Sequence, residues 1–252
     1  MHSSYVLLAN TDSITEAAPA FVFFGPAHIA SLLIVFVLPI LMSVAIRRSK
    51  KESVRKIVCW PLAVVMLINE VTYEIHYYCT HDLSSYLDTA LPLHLCDIAQ
   101  VLVIIFMLRP NVKILEIVYF WGLAGTTNAL ITPDVSAGFP SLTFTFYFVA
   151  HGGIVIAVLV GCWGFKMRPT FKSMIRAFVI ANLLGLVVMV INLLLDSNYM
   201  FLCRVPDGES PFFFAPWPWY LLVLELIGAI LFVLLYLPYA IGDLIQKKST
   251  SS

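Results

Sequence analysis

The sequence predicts an all-α fold: a polytopic bundle of seven transmembrane helices, N-terminus outside and C-terminus cytoplasmic. Three observations predict it. Of 252 residues, 60% are hydrophobic and 12% charged, and the mean hydropathy is +0.91, a balance foreign to a soluble chain of this length. Seven apolar runs each come near the ~20 residues that carry a helix across ~30 Å of hydrocarbon. They are too long, and alternate too little, to be strands of a membrane barrel. Finally, 14 of the 15 Lys and Arg residues gather at alternate ends of those runs.

The runs are taken in order. Residues 21–46 lead down to Arg47, Arg48, Lys50, Lys51, Arg55 and Lys56, and residues 57–77 lead back up. Residues 91–108 open at Pro92, a residue suited to the first helical position, and close on Arg109 and Lys113. Residues 113–131 return, interrupted by Thr126, Thr127 and Asn128. This fourth run is kept because without it Lys166, Arg168, Lys172 and Arg176, between the runs 143–165 and 174–195, would change sides. Residues 217–245 begin behind the aromatic stretch 215–220, an interfacial belt, and end at Lys247 and Lys248. Only Arg204 lies on the opposite side. Short basic loops stay cytoplasmic, which orients the bundle and puts Asp82, Asp134 and Asp207 outside.

The chain reads as a single integral membrane domain, 1–252. The longest connection, 196–216, has no room for a soluble domain. Residues 1–20 lack the basic, then apolar, pattern of a cleavable signal. Zero net charge says nothing about partners, because sidedness matters more than the sum; the basic loops face anionic headgroups. No nucleic-acid motif occurs, and no cofactor is expected. Gly122, Gly125, Gly152, Gly153, Gly161, Gly164 and Gly185 read as small residues for close helix packing. Cys59 and Cys162 read as packing residues. Cys79 and Cys203 fall on the same outer side, where a disulfide is open, although sequence does not join them.

The orientation exposes a second asymmetry. Nearly every polar residue within a run lies in its outer half: His28; Asn69, Glu70, Tyr73, Glu74, His76 and Tyr77; His94, Cys96, Asp97 and Gln100; Thr126, Thr127 and Asn128; His151; Asn192 and Asp196; Glu225. Ionisable groups at membrane depth turn to the bundle interior or a wet cavity and are functional candidates, the bland alternative being a satisfied network between helices. An outer-half pocket is expected, lined by the second, third, fifth and seventh helices and floored for an acyl chain. On the third helix, at ~100° per residue, Cys96, Gln100, Asp97 and His94 fan over about 160° of one side. Cys96 and His94 lie at opposite edges, so His94 is a poor base for the thiol. His151, or else His76, is the base to expect. With Cys96 some five residues into its run, its depth of roughly 6–8 Å approaches that of phospholipid ester carbonyls. A thiol there, paired with an imidazole, suits acyl transfer, although a small core residue is the plainer reading of Cys96 taken alone.

The segments 91–97 (Leu-Pro-Leu-His-Leu-Cys-Asp), Trp121-Gly122 through Asn128 to Thr132-Pro133-Asp134, and His151-Gly152-Gly153 resemble the YwaF-like integral membrane proteins, and the likeness spans all the helices. Animal relatives of that family are acyltransferases that place polyunsaturated chains on lyso ether phospholipids, with a Cys and a later His implicated. The matching residues here are Cys96 and His151. A more distant resemblance is to androgen-induced membrane hydrolases, which use Thr where this chain has Cys96. The resemblance implies a CoA-independent transacylase acting on phospholipid or lysophospholipid. It tips Cys96 towards nucleophile, His151 towards base, and His94, Asp97, Gln100, Glu70, Glu74, His76, Asn128 and Glu225 towards substrate binding. The animal substrate does not follow. A metal-dependent lipid hydrolase stays open as an alternative, since the His and carboxylate groups are zinc ligands by type, although no spacing fixes two histidines on one face. A proton-coupled transporter fits less well, because relay groups stop before the inner side. A retinal receptor fits poorly, because the last run has no mid-span Lys. Compact loops and the absence of an N-x-[ST] sequon favour a bacterial plasma membrane.

Overall fold

The computed structural model describes residues 18–49, 51–205 and 215–250. Lys50, Asp207 and all but the end of the 1–20 segment lie outside the described residues. The chain is helical: α1 Pro26–Arg48, α2 Glu52–Thr80, α3 Leu83–Thr89, α4 Leu95–Leu108, α5 Val112–Trp121, α6 Thr127–Ile131, α7 Leu142–Trp163, α8 Phe171–Leu195 and α9 Trp219–Thr250. Among the described residues the only β pairing is an isolated bridge between Ala20 and Ala137.

Five segments are long and apolar enough to cross a bilayer: Pro26–Arg48, Val112–Ile131, Leu142–Trp163, Phe171–Leu195 and Trp219–Lys247. The chain is therefore a multi-pass helical membrane protein. The second and third expected spans fall short on these criteria. Helix α2 has 29 residues but carries Glu52, Arg55, Lys56, Glu70 and Glu74. Helix α4 has only 14 residues, about 21 Å at 1.5 Å each.

Local chemistry sets the ends. Asn111 caps α5 by accepting the Lys113 N–H at 2.8 Å, and Ser141 caps α7 by accepting the Phe144 N–H at 3.1 Å. Thr170 and Ser173 cap α8 reciprocally, at 3.1 and 2.7 Å. Pro92 does not begin α4, as its position invited. The helix starts three residues later, at Leu95, with His94 as N-cap and Asp97 reaching back to the His94 N–H at 2.9 Å. The interruption at Thr126 to Asn128 is a π-helical turn, Gly122–Thr126, which keeps α5 and α6 one continuous span.

Helix α7 runs through the middle, against α1, α2, α4 and α5, while α8 and α9 flank the bundle through α5 and the π-turn. Close approach depends on missing side chains. A Cβ at Gly161 would lie 2.5 Å from Leu115 Cδ1, and one at Gly153 would lie 2.6 Å from Met66 Sδ. Gly125 and Gly185 face open space instead, so their reading as packing glycines is not supported.

Candidate functional site

At the end of the bundle where α4 begins, α2, α4 and α7 enclose a cavity of about 70 Å³. Helical periodicity builds its walls. Glu70 and Glu74 follow at i and i+4 on α2; His94, Asp97 and Gln100 follow at i, i+3 and i+6; Thr143, Phe146, Tyr147, Ala150 and His151 follow at i, i+3, i+4, i+7 and i+8 on α7. The non-helical stretch Ala90 to Pro92 completes the lining. The Leu91 N–H within it donates to the Tyr199 hydroxyl at 2.9 Å.

Six of the ten sequence-derived site residues line this cavity: Glu70, Glu74, His94, Asp97, Gln100 and His151. Cys96 stands beside it, packed against the apolar core, and its thiol donates to Asp97 Oδ1 at 3.6 Å. His76 is half-buried outside the lining, its ring 6.1 Å from that of Phe146. Asn128 is exposed on α6, beyond the π-turn. Glu225 is exposed on α9, where its carboxylate accepts from Asn182 Nδ2 at 3.1 Å. Helix α9, expected as the seventh span, contributes no residue to the lining, contrary to expectation: it packs on α8 and the π-turn.

The carboxylates are individually held. Gln100 Nε2 donates to Glu70 Oε2 at 2.6 Å, and the Tyr86 hydroxyl donates to Glu74 Oε2 at 2.7 Å. That carboxylate pushes the Tyr86 phenol up to about 12. Glu74 Oε1 is buried with no hydrogen-bond partner. On α3, burial pushes the Asp88 carboxyl up while Arg204, 3.9 Å away, pulls it down.

Hydrogen bonds to the backbone fix the histidine tautomers, since a carbonyl only accepts and an N–H only donates. His151 Nδ1 lies 2.9 Å from the Tyr147 carbonyl, with the two rings stacked at 4.2 Å. Nδ1 therefore carries the proton, and Nε2 of the neutral ring is a base. His94 is the reverse: its Nδ1 accepts the Met200 N–H at 3.3 Å, so Nε2 is a donor. His28 uses both nitrogens, accepting the Phe24 N–H at 3.0 Å and donating to the Leu130 carbonyl at 2.8 Å. Its role is to tie α1 to α6.

Tyr147, Phe146 and Thr143 entered no sequence-derived list, although their i, i+3, i+4, i+8 register with His151 marks the same face. Cys79 and Cys203 are both free thiols. Among the described residues no three His, Cys, Asp or Glu side chains converge as a metal-binding group.

A membrane-embedded bundle with a carboxylate- and histidine-lined cavity beside a thiol at a helix start defines the class. Within it, the TMEM164 family model matches residues 23–236, and the chain belongs to that family. No curated protein and no solved structure matches it.

Proposed function

We propose that this protein is a membrane-embedded lipid acyltransferase of the transacylase type, in which Cys96 carries an acyl chain as a thioester from a phospholipid to a lysophospholipid. The observation that carries the reading is the position of Cys96. It is the second residue of α4, at the end of the helix that meets the cavity. It touches the Asp97 carboxylate, which lines the same cavity as His151. A nucleophile within reach of proton acceptors is the arrangement covalent catalysis needs. His94, with its donor nitrogen, and Gln100 suit the developing oxyanion or the headgroup. The YwaF-like motifs around Cys96 and His151 support the same reading.

The proposal carries a topology. Helices α2 and α4 are the remaining two of seven spans: α2 is long enough and turns Glu70 and Glu74 to the cavity, and the non-helical segment 90–94 before α4 makes up that helix's missing depth. The N-terminus is then outside, the C-terminus cytoplasmic and the cavity in the outer leaflet, and the membrane is a bacterial plasma membrane. Intact-protein mass spectrometry after incubation with diacyl phospholipid tests the chemistry. The expected result is an acyl adduct on Cys96, absent in Cys96→Ala. Transfer at the wild-type rate by Cys96→Ala would sink the proposal. Impermeant labelling of a cysteine placed at Lys172 tests the topology, and labelling from outside would reject it.

A further inference from the structure

We propose that the outer surface of α8 and α9 pairs with the same surface of a second copy of this chain, through reciprocal hydrogen bonds between Glu225 and Asn182. Both residues lie within segments apolar enough to cross a bilayer, Asn182 near the middle of Phe171–Leu195 and Glu225 in the second turn of Trp219–Lys247. Both are exposed, as are Val179, Leu186 and Leu222, one turn away along the same helices. Helices α8 and α9 are also the least buried of the five spans. An amide and a carboxyl therefore face hydrocarbon, where no water reaches them and each unmade hydrogen bond is costly. Elsewhere the chain turns such groups inward, as with Glu70, Glu74 and Asp97 at the cavity.

The bonds made inside one chain leave a specific remainder. Asn182 Nδ2 donates to the Phe178 carbonyl and to Glu225 Oε2, both at 3.1 Å, which engages both of its N–H groups. Among the described residues, Asn182 Oδ1 and Glu225 Oε1 take part in no hydrogen bond. The first is an acceptor. The second, in the uncharged carboxyl that hydrocarbon tolerates, is an O–H donor. Each chain thus presents one donor and one acceptor on one surface, and that set is complementary to itself. Two copies related by a two-fold axis satisfy it fully, each Glu225 hydroxyl donating to Oδ1 of the partner subunit's Asn182. Lipid tails offer neither group. Within one chain, a Cβ added at Gly185 or Gly228 would meet nothing within 4 Å. These glycines follow Asn182 and Glu225 by three residues, on the same side of each helix. They let the backbone of a second helix come close, as small residues do between membrane helices. The pairing is independent of the chemistry at the cavity, whose helical walls are α2, α4 and α7.

Energy transfer between copies tests the pairing. Full-length protein labelled at its C-terminus with a donor or an acceptor fluorophore is reconstituted together in phosphatidylcholine vesicles, and transfer is followed as added lipid dilutes the protein. The wild type should follow a monomer–dimer equilibrium. Asn182→Leu and Glu225→Leu should each weaken it about 10–10³-fold, the worth of two hydrogen bonds between membrane helices, and should melt as the wild type does, because both positions are exposed. Glu225→Gln keeps an acceptor for Asn182 and an N–H for the other copy, and should pair close to wild type. Mixing the two leucine variants should recover part of the loss, because a Glu225 on one copy and an Asn182 on the other restore one of the two bonds. A monomeric wild type, its polar pair met by lipid or by another segment of the chain, overturns the proposal. So does wild-type pairing in either leucine variant, equal weakening by Glu225→Gln and Glu225→Leu, or a mixture no stronger than its components.

Discussion

His28 and His151 lie on two helices that pack together, α1 and α7, yet they belong to regions of different character. Around His28 every polar atom is spent: both ring nitrogens are bonded to backbone, the residue is 1% exposed, and Phe21, Phe24 and Phe148 surround the ring. Around His151 the accounts stay open. One nitrogen is tied down and the other lines a cavity shared with Glu70, Glu74 and Asp97. The same side chain is a rivet where both nitrogens are bonded and lines a cavity where only one is. A buried ionisable residue is therefore informative through what it leaves unbonded, more than through its presence at membrane depth.

The sharpest way to break this comparison is to remove each ring. His151→Ala should cost transfer activity about 10²–10⁴-fold, with thermal unfolding close to wild type. His28→Ala should do the opposite, lowering stability by about 1–3 kcal/mol because a carbonyl and an N–H lose their partner, with turnover per folded molecule unchanged. Equal loss of both properties in both variants would end the distinction. Gly161→Leu should cost about 1–3 kcal/mol by forcing α7 from Leu115 and Phe106, read as a lower melting temperature. It acts on the apolar half of the bundle and should spare the catalytic rate of the molecules that remain folded. At the small end, Asn128→Ala, at an exposed position outside the cavity, should change stability by less than about 0.5 kcal/mol and leave transfer unaltered; a large loss of transfer would extend the site beyond the described cavity.

Much of this was legible in the sequence. Apolar length and basic flanks marked the long helices but left out α3, and of the arc Cys96, Gln100, Asp97 and His94, the last three line the cavity. What was hidden depends on distant backbone. The Leu130 carbonyl that occupies His28 is 102 residues away, and no local signal announces it. The late start of α4 depended on a His N-cap rather than on Pro92. Glu225 looked like a site residue because polarity inside an apolar run is visible in a sequence and the face it occupies on a peripheral helix is not. The π-turn is invisible for a related reason: its sequence, Gly-Leu-Ala-Gly-Thr, does not record which carbonyl each N–H will choose.

The connection after α8 has a consequence for anyone handling this protein. Tyr199 bonds both the Leu91 N–H and the Leu87 carbonyl, Met200 bonds the His94 ring, and Asn192 grips Tyr199 from the end of α8. This connection is therefore a handle on the cavity wall. An epitope tag or an antibody fragment attached there pulls on the N-cap of α4 before it disturbs any helix–helix contact. Fusion partners belong at the opposite end of the bundle, and a binder selected against this connection acts on the cavity wall through Tyr199 and Met200.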